Sequence, residues 1–107
     1  LNGLGGRTRV VKGLFEQSLP RLFGRSRKDF SLVIIDCDLY EGALFCLRWF
    51  YDRVPSGGMV LIDDYGVPGH LQEAVYPGVK KAVDEFMANR PEKLVHGAES
   101  MWYFVKT

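Results

Sequence analysis

Two short runs of the chain are apolar without alternation, Leu32–Ile35 and Met59–Ile62. Between them, Ala43, Leu47, Phe50 and Val54 fall on one stripe of a helix predicted over Glu41–Val54. Short continuous apolar runs joined by a helical crossover are typical of neighbouring parallel strands covered on both faces. The pattern therefore predicts a strand–helix–strand unit at the centre of the chain.

The segments before this unit predict a strand and a short helix. Arg7–Lys12 has the composition of a strand, and Ser18 is predicted to cap a helix that has Pro20 in its first turn and Gly24 at its end. The glycine-rich start, Leu1–Gly6, is interpreted as a linker or the end of a preceding helix, because no strand stands before it to make a phosphate-binding loop.

The segments after this unit predict a helix and a closing hairpin. Pro77 opens a helix with an apolar stripe, which Asn89 and Pro91 end. Lys93–His96 and Met101–Lys106 are the two strands of the predicted hairpin. The fold class is therefore α/β: parallel strands with flanking helices and a C-terminal antiparallel hairpin.

Length and charge limit the function. A chain of 107 residues holds one small domain, 1–107. Fourteen basic residues face thirteen acidic ones, and the basic residues of Arg21–Lys28 fit a solvated loop, so no nucleic-acid partner is expected. Neither a signal peptide nor an apolar run of about eighteen residues is present. We therefore expect a cytoplasmic protein with no membrane partner, and the sequence leaves a homo-oligomer open.

The two cysteines, Cys37 and Cys46, have the spacing of neither a disulfide framework nor a metal site. They are interpreted as buried thiols of a reducing compartment. The chain opens at Leu1 rather than at a methionine, so we expect a fragment of a longer protein.

Acidic residues follow both central strands: Asp36 and Asp38 after the first, Asp63 and Asp64 after the second. The carboxyl ends of parallel strands open on one edge of a sheet, where open α/β sheets bind ligands. Carboxylates crowded at one point repel one another unless a cation lies among them, and oxygen ligands favour Mg²⁺, Ca²⁺ or Mn²⁺. The alternative is that these residues cap the following helices, and Asp38 fits a cap or a supporting group better than a ligand.

The connection Tyr65–Tyr76 is long and polar, as loops beside a functional site often are. His70 lies within it and is interpreted as a surface histidine or as a group that touches a substrate.

Four motifs together resemble the macrocin O-methyltransferase family, a branch of the class I S-adenosylmethionine-dependent methyltransferases. They are Val10–Pro20, with its Lys-Gly-x-Phe-Glu segment, Ile35–Tyr40, the pair Pro55–Gly58 and Ile62–Tyr65 around the second strand, and Gly78–Phe86. The resemblance runs from Arg9 to about Phe86. It implies a partial Rossmann-like methyltransferase sheet, and specifically the C-terminal half of that fold, since a first strand with a glycine-rich loop is not in the sequence.

The resemblance also implies residue roles. Asp36, Asp63 and Asp64 match the family's metal ligands, and Asp36 also takes the position of the general base and of a cofactor contact. Gly13, Phe15 and Glu16 match the segment along the adenosine end of S-adenosylmethionine. The expected activity is S-adenosylmethionine- and Mg²⁺-dependent O-methylation of a small hydroxylated molecule, such as a natural-product sugar.

Two other functions fit parts of the same sequence. Asp36-Cys37-Asp38 is an Asp-x-Asp motif after a strand, as in metal-dependent phosphatases and sugar-nucleotide transferases, with Asp36 as nucleophile and Asp38 as acid. Against this, no Lys, Ser or Thr is placed after a strand to hold phosphate. The third alternative is a non-catalytic, truncated domain.

Overall fold

The computed structural model describes residues 5–24 and 29–107. Most of the predicted N-terminal linker, residues 1–4, and the second half of the basic stretch predicted as a solvated loop, residues 25–28, lie outside the described residues.

A four-stranded sheet forms the centre of the described part of the chain. Its strands are β1 (Leu32–Ile35), β2 (Met59–Ile62), β3 (Val95–Ala98) and β4 (Met101–Val105), in the order β1-β2-β4-β3. β1 and β2 are parallel, with Ile35 opposite Ile62, and β4 runs antiparallel to both β2 and β3. The predicted parallel pair and C-terminal hairpin are confirmed, although β3 begins two residues later than predicted.

Three α-helices accompany the sheet: α1 (Phe15–Phe23), α2 (Tyr40–Tyr51) and α3 (Pro77–Met87). α2 packs against α3, and α1 packs against α2. Apolar side chains of the strands, of α2 and α3 and of the connections beside them form the core, the largest fully buried ones being Phe104, Leu47, Ile62, Val54, Val60, Val79 and Val83. Among the described residues, no helix has the length and apolar character needed to cross a membrane.

A glycine allows α3 to approach the start of α2. A β-carbon at Gly78 would lie 3.0 Å from the backbone nitrogen of Tyr40 and 3.1 Å from its Cβ, closer than side chains normally pack. This contact places the first turn of α3 beside the segment that connects β1 to α2.

The prediction that the central strands are covered on both faces is wrong for β1. Val33 and Ile35 are buried, whereas Leu32 and Ile34 are 52% and 59% exposed. β1 is an edge strand of the described sheet, and the described helices cover the face that carries Val33 and Ile35. The apolar run without alternation therefore leaves hydrophobic side chains on an open face.

Two predictions for the N-terminal segment are also wrong. The predicted strand Arg7–Lys12 is a 3₁₀ turn at Gly5–Arg7 followed by irregular chain, in which Val10 is 71% exposed. Strand-forming residues need a neighbouring strand to pair with, and this segment has none in the described sheet. Ser18 is not the cap of α1 but a buried residue in its interior, because the helix already begins at Phe15 after Leu14. Gly24 ends the helix as predicted.

The C-terminus is held by a buried carboxylate. Glu92 is only 6% exposed, and both of its oxygens accept hydrogen bonds of 2.8 Å from the Tyr51 hydroxyl. Its Oε2 also accepts from the backbone nitrogen and hydroxyl of Thr107. Burial of Glu92 opposes ionisation, but these hydrogen bonds outweigh it and hold the pKa of Glu92 below its usual value.

Candidate functional site

Three aspartates converge at the carboxyl edge of the parallel strands. One carboxylate oxygen from each of Asp36, Asp38 and Asp64 lies within 4.8 Å of those of the other two. Asp36 follows β1 directly, and Asp64 is the second residue after β2. The parallel register brings them together, because Ile35 and Ile62 are partners and the two strands end side by side.

The backbone is unusual at two of these three residues. Asp38 has φ +63° and is the central residue of a three-residue turn that the Leu39 amide closes by donating to the Cys37 carbonyl over 2.6 Å. Asp64 has φ +65°. Left-handed backbone costs residues other than glycine about 1–2 kcal/mol, and such residues cluster at functional sites. Both bends direct a carboxylate toward the same point.

Partial burial and neighbouring carboxylates together shift the pKa of Asp64. Partial burial, then the charge of Asp63, a hydrogen bond with Asp38 and the charge of Asp36 raise the pKa of Asp64 to about 6. The folded chain therefore stabilises one proton in the cluster at mildly acidic pH. A divalent cation would take that role at higher pH, and an all-carboxylate donor set fits Mg²⁺, Ca²⁺ or Mn²⁺.

Asp63, predicted as a ligand, lies outside this group of three. Its Oδ1 accepts hydrogen bonds of 2.8 Å from the Ser100 hydroxyl and from the backbone nitrogen of Asp64. The Tyr65 amide also donates to the Ser100 carbonyl. Asp63 thus connects the end of β2 to the turn of the β3–β4 hairpin, and its role as a ligand stays a prediction.

Asp38, interpreted from the sequence as a helix cap or a supporting group, does not cap α2. The N-cap residue is Leu39, without a side-chain hydrogen bond, and Asp38 interacts with Asp64 instead. The left-handed turn at Asp38 causes this difference, since it directs the carboxylate away from the first amides of the helix. No local sequence signal distinguishes this turn from an ordinary cap.

The residues predicted to contact the cofactor line a cavity next to the acidic group. Gly13, Phe15 and Glu16 share a cavity of about 230 Å³ with Cys37 and Gly42. Phe15 also lines a neighbouring cavity of about 330 Å³ together with Asp36. The segment predicted for the adenosine end therefore faces the loop that carries Asp36.

The connection after β2 lines a further cleft beside the acidic group. The cleft has a volume of about 430 Å³, and its polar lining comes from Asp64, His70, Glu73, Glu99 and Ser100. Nδ1 of His70 lies 2.9 Å from a carboxylate oxygen of Glu73, so the histidine is paired although exposed. Trp102 Nε1 donates to the Gly66 carbonyl, and the Tyr65 hydroxyl donates to Asp84, which anchors the loop to β4 and α3.

The two cysteines lie in contact, which the sequence analysis did not anticipate. Cys46 on α2 is buried as predicted, whereas Cys37 is half-buried. A hydrogen bond between the two thiols lowers the pKa of Cys37 and, together with burial, raises that of Cys46.

A sequence model of the macrocin O-methyltransferase family (TylF) matches residues 2–93 of this chain. The chain belongs to this family. The resemblance seen in the sequence motifs is therefore confirmed, and the acidic edge described above lies within the matched residues.

Two Streptomyces enzymes are similar to this chain. One is the 8-demethyl-8-(2,3-dimethoxy-alpha-L-rhamnosyl)-tetracenomycin-C 4'-O-methyltransferase of Streptomyces olivaceus, 33% identical over 64 residues, which are 60% of this chain and 23% of that protein. The other is the demethyldecarbamoylnovobiocin O-methyltransferase of Streptomyces niveus, 32% identical over 85 residues, which are 79% of this chain and 28% of that protein. The chain thus spans about a quarter of the length of these relatives.

Solved structures confirm the α/β fold class. The O-methyltransferase NovP superposes with a TM-score of 0.74 and 28% identity, over 92% of this chain and 37% of NovP. CalS11, a TDP-rhamnose 3'-O-methyltransferase of calicheamicin biosynthesis, superposes with a TM-score of 0.67 and 22% identity, over 89% of this chain and 40% of CalS11. At that identity the second comparison speaks for the fold alone.

Proposed function

We propose that this chain is the acidic-edge portion of an S-adenosylmethionine- and Mg²⁺-dependent O-methyltransferase that acts on a hydroxyl group of a natural-product sugar or aglycone. One observation carries the proposal: in a chain of this family, oxygens of Asp36, Asp38 and Asp64 lie within 4.8 Å of one another at the carboxyl edge of the sheet. The family match also favours methyl transfer over the phosphatase and sugar-nucleotide transferase alternatives.

The donor set fits a hard divalent ion. Carboxylates at this separation repel one another, and the raised pKa of Asp64 supports the need for a compensating charge. A bound Mg²⁺ would lower the pKa of an acceptor hydroxyl and orient it. Asp36 and Asp64 are the ligands supported by both the sequence and the geometry. Asp38 is supported by the geometry alone, and Asp63 by the sequence alone.

Asp36 is proposed as the general base. It lies at the end of β1, lines the cavity that Phe15 also lines, and belongs to the acidic group. A carboxylate in this place would accept the proton of the acceptor hydroxyl while the oxygen attacks the methyl group of the donor. Holding the two reactants in line would supply most of the rate enhancement.

The remaining walls are proposed to hold the two substrates. Gly13, Phe15 and Glu16 would lie along the adenosine end of S-adenosylmethionine, in the cavity of about 230 Å³. The acceptor would enter the cleft of about 430 Å³, where His70, Glu73 and Glu99 offer hydrogen-bonding groups suited to a sugar. The names of the two Streptomyces relatives support a natural-product acceptor. We expect the protein to act in the cytoplasm.

A methyl-transfer assay on the protein that carries this chain tests the proposal. We expect transfer of label from methyl-labelled S-adenosylmethionine to a rhamnosylated acceptor. A chelator should abolish transfer and added Mg²⁺ should restore it. Asp36→Asn should lower kcat by about a hundredfold or more while leaving the Kd for S-adenosylmethionine nearly unchanged, because the proton acceptor and one ligand of the cation are lost while Gly13, Phe15 and Glu16 are unchanged.

Asp29→Asn, at the amino end of β1, is the matched control and should leave kcat unchanged. Turnover by the Asp36→Asn enzyme at the wild-type rate would remove Asp36 from the role of base. Turnover that resists the chelator would remove the metal from the proposal.

A further inference from the structure

Cys37 and Cys46 lie on one cavity with Asp36, and an interaction between their thiols lowers the pKa of Cys37 and raises that of Cys46. Both line the cavity of about 330 Å³, and Cys37 also lines the cavity of about 230 Å³ that Gly42 borders. A β-carbon at Gly42 would lie 3.5 Å from Sγ of Cys37, so the glycine keeps this side of the thiol open to the cavity. The structure thus places a half-buried thiol and a buried thiol on the same cavity.

We propose that Cys37 and Cys46 form a reversible disulfide whose closure displaces the Asp36–Asp38 turn and weakens divalent-cation binding there. The second part of this proposal rests on the proposed function, whereas disulfide formation does not. Disulfides in reducing compartments are usually transient and regulatory, which suits one isolated pair beside a functional site.

Closure of the disulfide should move Cys37 rather than Cys46, because the core holds Cys46 in place. Cys46 is 4% exposed on α2, between the fully buried neighbours Ala43 and Leu47. A disulfide brings the two sulfurs to about 2.05 Å, well inside the separation of two thiols in contact. Cys37 lies between Asp36 and Asp38, and the turn closed by Cys37 and Leu39 already has left-handed backbone. Movement of Cys37 therefore shifts both carboxylates relative to Asp64.

The chemistry needs a two-electron oxidant, for which hydrogen peroxide is the probe. Peroxide transfers one oxygen atom to Sγ of Cys37, giving a sulfenic acid and releasing water. Sγ of Cys46 then attacks this sulfur, the S–S bond forms, and the hydroxyl leaves with the proton of Cys46 as a second water. A dithiol returns both residues to thiols by exchange.

Mass spectrometry of the peroxide-treated chain tests disulfide formation. Both cysteines lie in one tryptic peptide, residues 29–48. We expect this peptide to lose the mass of two hydrogens and to resist N-ethylmaleimide. Dithiothreitol should restore both the mass and the reaction with N-ethylmaleimide. In Cys46→Ala, Cys37 should instead be trapped as a sulfenic acid by dimedone, and Cys37→Ser should show neither product. Two alkylatable thiols in the treated wild-type chain, or only intermolecular dimers, would overturn the proposal.

Mn²⁺ titration of the reduced and oxidised chains tests the coupling. We expect the oxidised chain to bind Mn²⁺ about tenfold or more weakly, with recovery after dithiothreitol, because outer contacts of metal ligands change affinity by that much. Peroxide should leave Mn²⁺ binding by Cys37→Ser unchanged. Equal affinities of the two wild-type forms would overturn the coupling. Absence of Mn²⁺ binding to the reduced chain would contradict both the coupling and the proposed cation site, while the mass measurement would still decide the disulfide.

Discussion

Asp64 combines left-handed backbone, partial burial and three neighbouring carboxylates in one residue. Its pKa of about 6 lies above its usual value of 3.8. Without a divalent cation, the folded chain therefore keeps a proton on Asp64 in a pH range where the unfolded chain has lost it. The contribution of Asp64 to the free energy of unfolding is fully present below the unfolded pKa and is lost as pH rises through the folded one.

Asp64→Asn should remove this decline. Urea unfolding from roughly pH 4 to 7 in the presence of a chelator would show it. As pH rises, the free energy of unfolding of the wild type should fall relative to that of the variant. Asp29→Asn should run parallel to the wild type over the same range. Parallel curves for Asp64→Asn and the wild type would contradict the raised pKa.

The structure and the sequence rank Asp38 and Asp63 in opposite orders as ligands of the cation. The geometry favours Asp38, which lies in the acidic group, over Asp63, which accepts from Ser100. We expect Asp38→Asn to weaken Mn²⁺ binding about tenfold or more. Asp63→Asn should weaken it less and should instead lower the free energy of unfolding, since the link to the hairpin turn is lost. Calorimetric titration and urea unfolding of both variants decide between the two, and the reverse ranking would restore Asp63 as the ligand.

At the scale of elements, Glu92 fixes the C-terminus against α2. Replacing it by Gln leaves the Tyr51 hydroxyl and the groups of Thr107 with a poorer acceptor in a buried place. We expect Glu92→Gln to lower the free energy of unfolding at neutral pH by about 2 kcal/mol. The loss should shrink in acid, because the stabilising carboxylate is protonated as pH falls through its lowered pKa. Glu73→Gln, in an exposed pair with His70, should have little effect, and equal losses for the two variants would contradict this account.

The elements that could be predicted are those that local pattern decides. The runs of β1 and β2 are continuous in sequence, Gly57-Gly58 stands directly before β2, and Asn89 stands just after α3, so local pattern predicts these elements. The predicted strand Arg7–Lys12 is wrong because a strand needs a partner. The predicted helix cap at Ser18 is wrong because the burial of this residue depends on α1 packing against α2. Asp36 and Asp64 were predicted from strand topology. Asp38 could not be, because one left-handed turn decides its direction.

At the scale of the whole molecule, the open face of β1 is the most exposed apolar part of the sheet. Leu32 and Ile34 lie on an edge strand, and such edges tend to associate. This chain matches 37% of NovP, so NovP extends well beyond the matched portion.

Alone, the 107-residue chain should self-associate through this face. Ile34→Lys should lower the apparent mass in light scattering after size exclusion, with little change in the free energy of unfolding, since the side chain is exposed. Val75→Lys, at an 82% exposed loop position, should leave the association unchanged. Association that survives Ile34→Lys would exclude this face as its cause.

The predictions of a single domain over 1–107 and of the C-terminal half of the family fold stay predictions.

The central claim is that carboxylates from the ends of two parallel strands form one divalent-cation site. Calorimetric titration of the reduced chain with Mn²⁺ near neutral pH tests it most directly. The account predicts one ion per chain, a loss of affinity of about a hundredfold in Asp64→Asn, and wild-type affinity in Asp29→Asn. Absence of binding, or an Asp64→Asn affinity equal to that of the wild type, would contradict it.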